Sequence, residues 1–499
     1  MPKVLSAQQV REWDAYTIQH EPIASIDLME RACRVFTEWF TAKFDATKKV
    51  CVVCGTGNNG GDGLGIARLL HEWNYAVKVW IVRGGTTESI DFSHNLQRLP
   101  GKIPVTEITS SSGSEFLSRC DVLIDAIFGS GLSRPAEGVF AQVINSINES
   151  TCTKVAVDIP SGLMADAPST GAIVKAHFTF TFQLPKLSFF LPETGVYAGS
   201  WKVGDIGLSK TFLAHATTDY HYLTLKSVRK LMKERAVFSH KGDYGKALLV
   251  AGSHGKMGAC VLAARAALRA GLGLLTVHLP TAGYTIVQTA VPEAMATVDD
   301  HAHFITTCPP GLETYDVIGV GPGLGTEAAT AKVLRALFEP GKPMVIDADA
   351  LNLISKHREL LHLIPPSSVL TPHPKEFERL AGPSKNSFDR LVKQRQLAHQ
   401  LKSVVLVKGA FTAIAMPDGA CYFNTTGNPG MATGGTGDVL TGILTGLLAQ
   451  GYPAPDAARL GVFLHGLSGD LARKEVGEQA LIASDLVAHL AAAFGRLVA

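Results

Sequence analysis

The chain has 499 residues, 46% hydrophobic and 18% charged, with 46 Lys plus Arg against 44 Asp plus Glu. A length beyond what one core serves predicts at least two large domains, and a near-neutral balance with no basic run excludes the electrostatic footprint of a nucleic-acid or anionic-membrane partner. The charged fraction lies below the roughly 25% usual for soluble domains, so a homo-oligomer is expected, and no stretch approaches the roughly 18 apolar residues of a membrane span.

From Ser6 to Lys43 the periodicity predicts helix, with Ser6 as cap. Lys49 to Cys54 reads as a strand. Its Cys51 and Cys54 form a C-x-x-C, but in an apolar strand the pair is read as structural, because redox pairs of this spacing sit at helix N-termini. The eight cysteines are scattered through the chain, unlike a secreted disulfide framework, which predicts a reducing, cytoplasmic location. A glycine turn, Gly55-Thr56-Gly57-Asn58-Asn59-Gly60-Gly61-Asp62-Gly63, follows the strand and leads into a helix from Leu64 to Trp73. Strands are predicted at Val77 to Val82, Val122 to Phe128 and Val155 to Ile159. The second of these runs into Gly129-Ser130-Gly131-Leu132-Ser133-Arg134-Pro135, and the third into Asp158-Ile159-Pro160-Ser161-Gly162. Continuous apolar strands alternating with helices predict a doubly wound, Rossmann-like α/β sheet. Its ligand should sit at the strands' C-terminal edge, where Asp62, Asp125 and Asp158 converge. Lys186, in Leu184-Pro185-Lys186, could assist or be a surface charge, and the surface charge is the favoured reading.

A domain boundary is placed near residue 220, dividing the chain into 1–220 and 221–499. The alternation restarts at Ala247 to Ala251, followed by an Ala-rich helix from Ala259 to Ala270. Further strands are expected at Val317 to Val320, Met344 to Ile346 and Val404 to Val407, and three helices close the chain. Asp347 and Asp349 are read as caps of the next helix rather than metal ligands. His301 and His303 are read as a solvated turn.

The most specific string is Gly427-Asn428-Pro429-Gly430-Met431-Ala432-Thr433-Gly434-Gly435-Thr436-Gly437-Asp438, opening an apolar helix. Glycines let main-chain amides approach an anion, and the helix N-terminus aims its positive end at the same place. Asp438 at the edge of that hole stands where it can take a proton from a hydroxyl attacking a phosphoryl group; the plain alternative is a helix cap.

Gly434-Gly435-Thr436-Gly437-Asp438 resembles the turn of ribokinase-like folds. With Lys408-Gly409-Ala410-Phe411-Thr412, Thr371-Pro372-His373-Pro374-Lys375-Glu376 and Gly321-Pro322-Gly323-Leu324-Gly325, residues 225 to 499 resemble ADP-dependent NAD(P)H-hydrate dehydratases. The resemblance implies nucleotide contacts at Lys408, Gly409, Ala410, Phe411, Thr412 and Gly437. It implies contacts to the hydrated nicotinamide at Ala259, Gly323, His373 and Asp438. Asp438 would activate the ring hydroxyl for phosphorylation by ADP, and loss of phosphate would restore the reduced ring. Lys375 departs from the family, which often has glycine there.

Residues 1 to 215 resemble NAD(P)H-hydrate epimerases. By position, Asn58, Asn59, Gly60, Gly61, Asp62, the run Gly129 to Pro135, and Asp158 would contact hydrated NADH or NADPH. Asn59, Asp125 and Ser161 would hold a potassium ion. An oxygen-only set suits a hard cation, and the residues alone leave calcium and magnesium open. Asp158 would do acid/base work at ring carbon six. The competing reading is a ribokinase-like vitamin-precursor kinase fused to a non-catalytic Rossmann-like binding module.

Overall fold

The computed structural model describes residues 1–85, 87–109 and 120–498. It divides into two compact units, Lys3–Thr218 and Met1–Pro2 together with Asp219–Ala499.

The first unit opens with two helices, Ala7–His20 and Ser25–Lys43, where the sequence pattern suggested one. Pro22 lies in the break, where its missing N–H and fixed φ interrupt a helix. Ser6 caps the first helix through a capping box with Gln9. The sheet contains β1 (Lys49–Cys54), β2 (Ala76–Val82), β3 (Val105–Ile108), β4 (Val122–Ala126), β5 (Thr153–Val157), β6 (Phe178–Phe182) and β7 (Ser200–Gly204), in the order β3-β2-β1-β4-β5-β6-β7. Every pairing is parallel, giving the doubly wound layout. Strand order reverses between β1 and β4, and the Gly55 amide bonds the Ala126 carbonyl across that switch point.

In the second unit the strands are β8 (Tyr220–Tyr222), β9 (Lys246–Val250), β10 (Leu274–Pro280), β11 (Met295–Asp299), β12 (Val317–Val320), β13 (Met344–Ile346), β14 (Val369–Leu370), β15 (Val404–Val407), β16 (Ala413–Ala415) and β17 (Cys421–Phe423). Their order is β11-β10-β9-β12-β13-β14-β15-β16-β17-β8. The sheet is parallel as far as β15, then turns antiparallel through β16 and β17. The switch point lies between β9 and β12, where the Gly252 amide bonds the Pro322 carbonyl. The helix Thr436–Ala449 is buried from Val439 onward, which explains its nearly unbroken apolar run. Its core-facing neighbour is the Ala-rich helix Met257–Arg269, whose small side chains allow the two to pack closely.

Cys51 and Cys54 are buried within β1 and form no disulfide, consistent with a structural role. No helix among the described residues is long and apolar enough to cross a membrane.

Candidate functional sites

In the first unit a cavity of about 760 Å³ opens at the sheet's switch point, lined by Asn58, Asn59, Asp62, Gly129 to Arg134, Asp158 and Lys186, with Arg11 and Asp14 from the first helix. The helix after β1 runs Asn58–Glu72, so it starts inside the glycine turn rather than at Leu64. Asn58, Asn59 and Asp62 therefore stand on its first turns, beside free N–H groups and the positive end of the helix. Gly60 and Gly61 do not line the cavity. A Cβ on Gly60 would fall 1.8 Å from the Gly55 carbonyl oxygen, so Gly60 lets the helix close onto the strand end. Pro135 also lies outside the lining.

Asp158 takes φ +63°, a left-handed conformation that Asp tolerates better than most residues and that often marks strain at a working site. One oxygen of its carboxylate accepts from the Lys186 ammonium at 2.7 Å and the Phe182 amide at 3.2 Å. Lys186 is 2% exposed, and its ammonium also donates to Thr181 Oγ1 and to the Leu184 carbonyl. The reading of Lys186 as a surface charge is thus corrected. Carbonyls of the local loop accept from the ammonium, and Asp158 from the neighbouring strand end balances the charge. Asp62 is pushed well above the carboxylate range by burial, then by the charges of Asp158, Asp14 and Asp91.

Beneath the cavity, Asp125 is fully buried. Its carboxylate accepts from the Ser161 hydroxyl at 2.5 Å and the Ser161 amide at 2.8 Å. Burial lifts it to about 6 against those hydrogen bonds. The Asn59 amide nitrogen is buried without a hydrogen-bond partner, so the amide orientation that turns its oxygen toward the site loses no bond. Two oxygen side chains in contact and a buried amide nearby suit a hard cation better than a soft one.

In the second unit the C-terminal ends of the parallel strands carry the predicted residues. Lys408, at the end of β15, pairs with Asp347, at the end of β13, with Nζ and Oδ1 2.7 Å apart. The other Asp347 oxygen accepts from Thr441 Oγ1 at 2.8 Å. Gly437 lies against both: a Cβ there would sit 3.4 Å from Lys408 Nζ and 3.7 Å from Asp347 Oδ2. Asp438 is raised to about 6 by burial and by Asp347, with Lys408 opposing. It also raises Cys260, the neighbour of Ala259. A Cβ on Gly323 would lie 3.2 Å from that of Ala259, so these two predicted contacts share one wall.

Asp347 and Asp349 do not cap the next helix through their side chains, a correction to the sequence reading. Asp347 faces Lys408, whereas Asp349 accepts from the Gly325 amide at 2.9 Å and from Lys256 at 3.1 Å. Long-range partners outcompete the local cap. His373 does act as a cap: Nδ1 accepts from the Lys375 and Glu376 amides, and Glu376 bonds back to the His373 amide. Burial, then Lys408 and Arg379, push its imidazole below its ordinary value, keeping the ring neutral. Gly409 and Ala410 are exposed on the turn after β15, where Thr412 Oγ1 bonds the Gly409 amide. Lys375 is exposed on the first turn of the helix Pro374–Ala381.

The glycine-rich turn is braced from the helix Ala454–Val476. Asp470 accepts from the Gly427 amide and from Asn428 Nδ2. His465 Nε2 donates to the Thr436 carbonyl at 2.8 Å, and burial drives that imidazole down to about 4. Sequence reasoning missed both, because a brace lying on a later helix has no local signature. His301 Nδ1 accepts from the His303 and Phe304 amides, as expected of a turn. Among the described residues no cluster of three His, Cys, Asp or Glu side chains forms a metal site.

Residues 247–491 match the family described as NAD(P)H-hydrate dehydratase, and residues 25–188 match the YjeF-related protein N-terminus. A bifunctional NAD(P)H-hydrate repair enzyme of Moorella thermoacetica is 38% identical, the alignment covering 98% of this chain and 96% of that one. The chain belongs to the bifunctional NAD(P)H-hydrate repair enzyme family. The member from Coxiella burnetii is 36% identical over 97% of each chain. A solved structure of a hypothetical protein from Streptococcus mutans, 27% identical, covers 56% of this chain and all of its own, with a TM-score of 0.50.

Proposed function

We propose that the first-unit cavity interconverts the R and S hydrates of NADH and NADPH, and that the second-unit site dehydrates the S form at the expense of ADP, giving AMP and phosphate. The chain is a bifunctional nicotinamide-nucleotide repair enzyme, an isomerase and a lyase joined. The observation that carries the residue assignment is Asp438, raised to about 6, beside the Lys408, Asp347 and Gly437 cluster. A carboxyl near the operating pH is ionised in neutral solution yet basic enough to take the proton of the ring hydroxyl. The amides of the Gly434 to Gly437 turn and the end of the helix Thr436–Ala449 would hold the transferring phosphoryl group, with Lys408 on its charge. Much of such catalysis is positioning, so the braces at Asp470 and His465 serve it directly. Magnesium accompanying the nucleotide belongs to this reading.

In the first unit, Asn58, Asp62, Gly129 to Arg134 and Asp158 would bind the hydrate. Asn59, Asp125 and Ser161 would hold potassium. When bound, that ion would supply positive charge beneath the cavity floor and fix the Asp125–Ser161 pair. Asp158, oriented by Lys186, accepts or returns the proton of the oxygen borne on ring carbon six.

The test is incubation of a mixed hydrate preparation with the full chain, following reduced-nicotinamide absorbance. Recovery of the whole mixture only when ADP is present is expected. Accumulation of a lasting phosphorylated alcohol, with no absorbance returning, would instead indicate the kinase alternative.

A further inference from the structure

Asp14 projects from the first helix into the first-unit cavity. It occupies the stripe formed by Val10, Trp13, Thr17 and Ile18, at the i, i+3, i+4, i+7, i+8 spacing that points a helix face inward. A carboxylate there must be buried beside apolar groups or face a polar cavity, and the latter holds. The neighbouring carboxylates are all engaged: Asp158 with Lys186, Asp91 with the Ser25 hydroxyl at 2.6 Å, Asp125 with Ser161, and Asp62 with the Cys33 thiol. Asp14 makes no hydrogen bond or ion pair with any described residue.

We propose that Asp14 is the proton-carrying partner of Asp158 in epimerisation, an acid on one wall of the cavity facing a base on the other. The proposal rests on the epimerase reading of this cavity. The Asp14 carboxyl gives its proton to the hydroxyl on ring carbon six, and the C6–O bond breaks with its electron pair leaving on water. The N1 lone pair forms an N1=C6 double bond. Water then adds to carbon six from the opposite face, the N1=C6 π electrons return to nitrogen, and Asp158 takes the proton that the added water sheds. Water leaves and water adds, with no oxidation or reduction. The two carboxyl groups end with exchanged protons, ready for the reverse conversion.

The surroundings support this division of labour. Burial, then the charge of Asp158, lifts Asp14 to about 7, with Lys186 opposing; Asp62, from the helix after β1, and Arg11, one turn away on its own helix, also face the cavity. Asp158 is set as an acceptor by Lys186 and the Phe182 amide. One carboxyl ion-paired to a lysine and the other buried without a cation partner are set up for different roles, base and acid.

The experiment compares Asp14→Asn and Asp14→Glu with the natural chain, using the R hydrate as substrate over pH 5.5 to 9. Dehydration of the S hydrate by the same preparations checks that the chain is folded. The expected result is a fall in epimerase kcat of about 100-fold or more in the Asn variant, with KM changed little. The natural enzyme should lose kcat as pH rises through about 7, since only protonated Asp14 donates. That limb should vanish in the Asn variant and return with part of the rate in the Glu variant. Retention of the natural rate and pH profile by Asp14→Asn would overturn the proposal, as would a loss confined to KM. Failure of the natural chain to epimerise either hydrate would instead remove the epimerase reading itself.

Discussion

Replacing Asp438 by Asn should abolish one activity while stabilising the unit that carries it. The carboxyl stands at about 6 in the folded chain against 3.8 when exposed. At about 1.4 kcal/mol per unit, a rise of this size puts about 3 kcal/mol of penalty on the native state once both forms are ionised. A raised folded value means that the native state holds the proton longer. The penalty is absent below the exposed value, grows between 3.8 and about 6, and is constant above. Asn has the same shape and no charge, so Asp438→Asn is expected to raise the stability of the second unit by up to about 3 kcal/mol at pH 7.5 and to leave it unchanged near pH 3.5. ADP-dependent dehydration should fall by about 10² to 10⁴, the range for loss of a general base, with epimerisation untouched. Urea unfolding of the full chain measures the first effect, and the transition that ADP shifts identifies the second unit. A variant no more stable at pH 7.5 than at pH 3.5, relative to the natural chain, would refute the electrostatic reasoning. One that still dehydrates at near the natural rate would remove Asp438 from the base role.

Lys408→Gln takes away the charge that holds Asp438 down, so the acid limb of dehydration should move to higher pH. Asp347, 2% exposed, would lose its ion-pair partner, and a loss of about 3 kcal/mol is expected in urea unfolding. Gly437→Ala places a methyl group against Lys408 and Asp347; it should raise the KM for ADP about tenfold or more while moving stability by less than about 1 kcal/mol. Gly60→Ala forces a Cβ onto the Gly55 carbonyl and should cost the first unit more than about 4 kcal/mol. Its epimerase activity should disappear on mild warming, while dehydration of the S hydrate persists. ADP at about 100 times its Kd should raise the second unit's stability by about 2.7 kcal/mol and leave the first unchanged, as differential scanning calorimetry would show.

The strands that build both sheet centres were legible because each is a short apolar run buried on both faces: β1, β4 and β5 in one unit, β9, β12, β13 and β15 in the other. β14, β16 and β17, of two or three residues, carry no period long enough to read, whereas β13, also of three residues, was read from its apolar run between Pro343 and Asp347. β8 is equally short, and its place in the second sheet depends on pairing with β17 two hundred residues on. Site residues inside glycine-rich strings were legible because the glycines announce an anion hole. Asp14 was not: a single carboxylate on an amphipathic helix looks like a surface charge until its place in the apolar stripe is counted. Lys186 failed for a related reason, since only its ion pair with Asp158, 28 residues away, makes burying the ammonium tolerable. Asp347 and Asp349 fitted the local pattern of a strand end before a helix, and that pattern gave no hint that Lys408 would claim the first and Lys256 the second.

The two-site account is tested most directly with the R hydrate alone, supplied with ADP and followed by the return of reduced-nicotinamide absorbance. The natural chain should convert it completely, whereas Asp158→Ala and Asp438→Asn chains should each recover it no faster than the solution without enzyme. An equal mixture of the two variants should restore conversion, because each supplies the site that the other lacks. Rapid conversion by Asp158→Ala alone, or silence from the mixture when each variant still performs its own half-reaction, would contradict it.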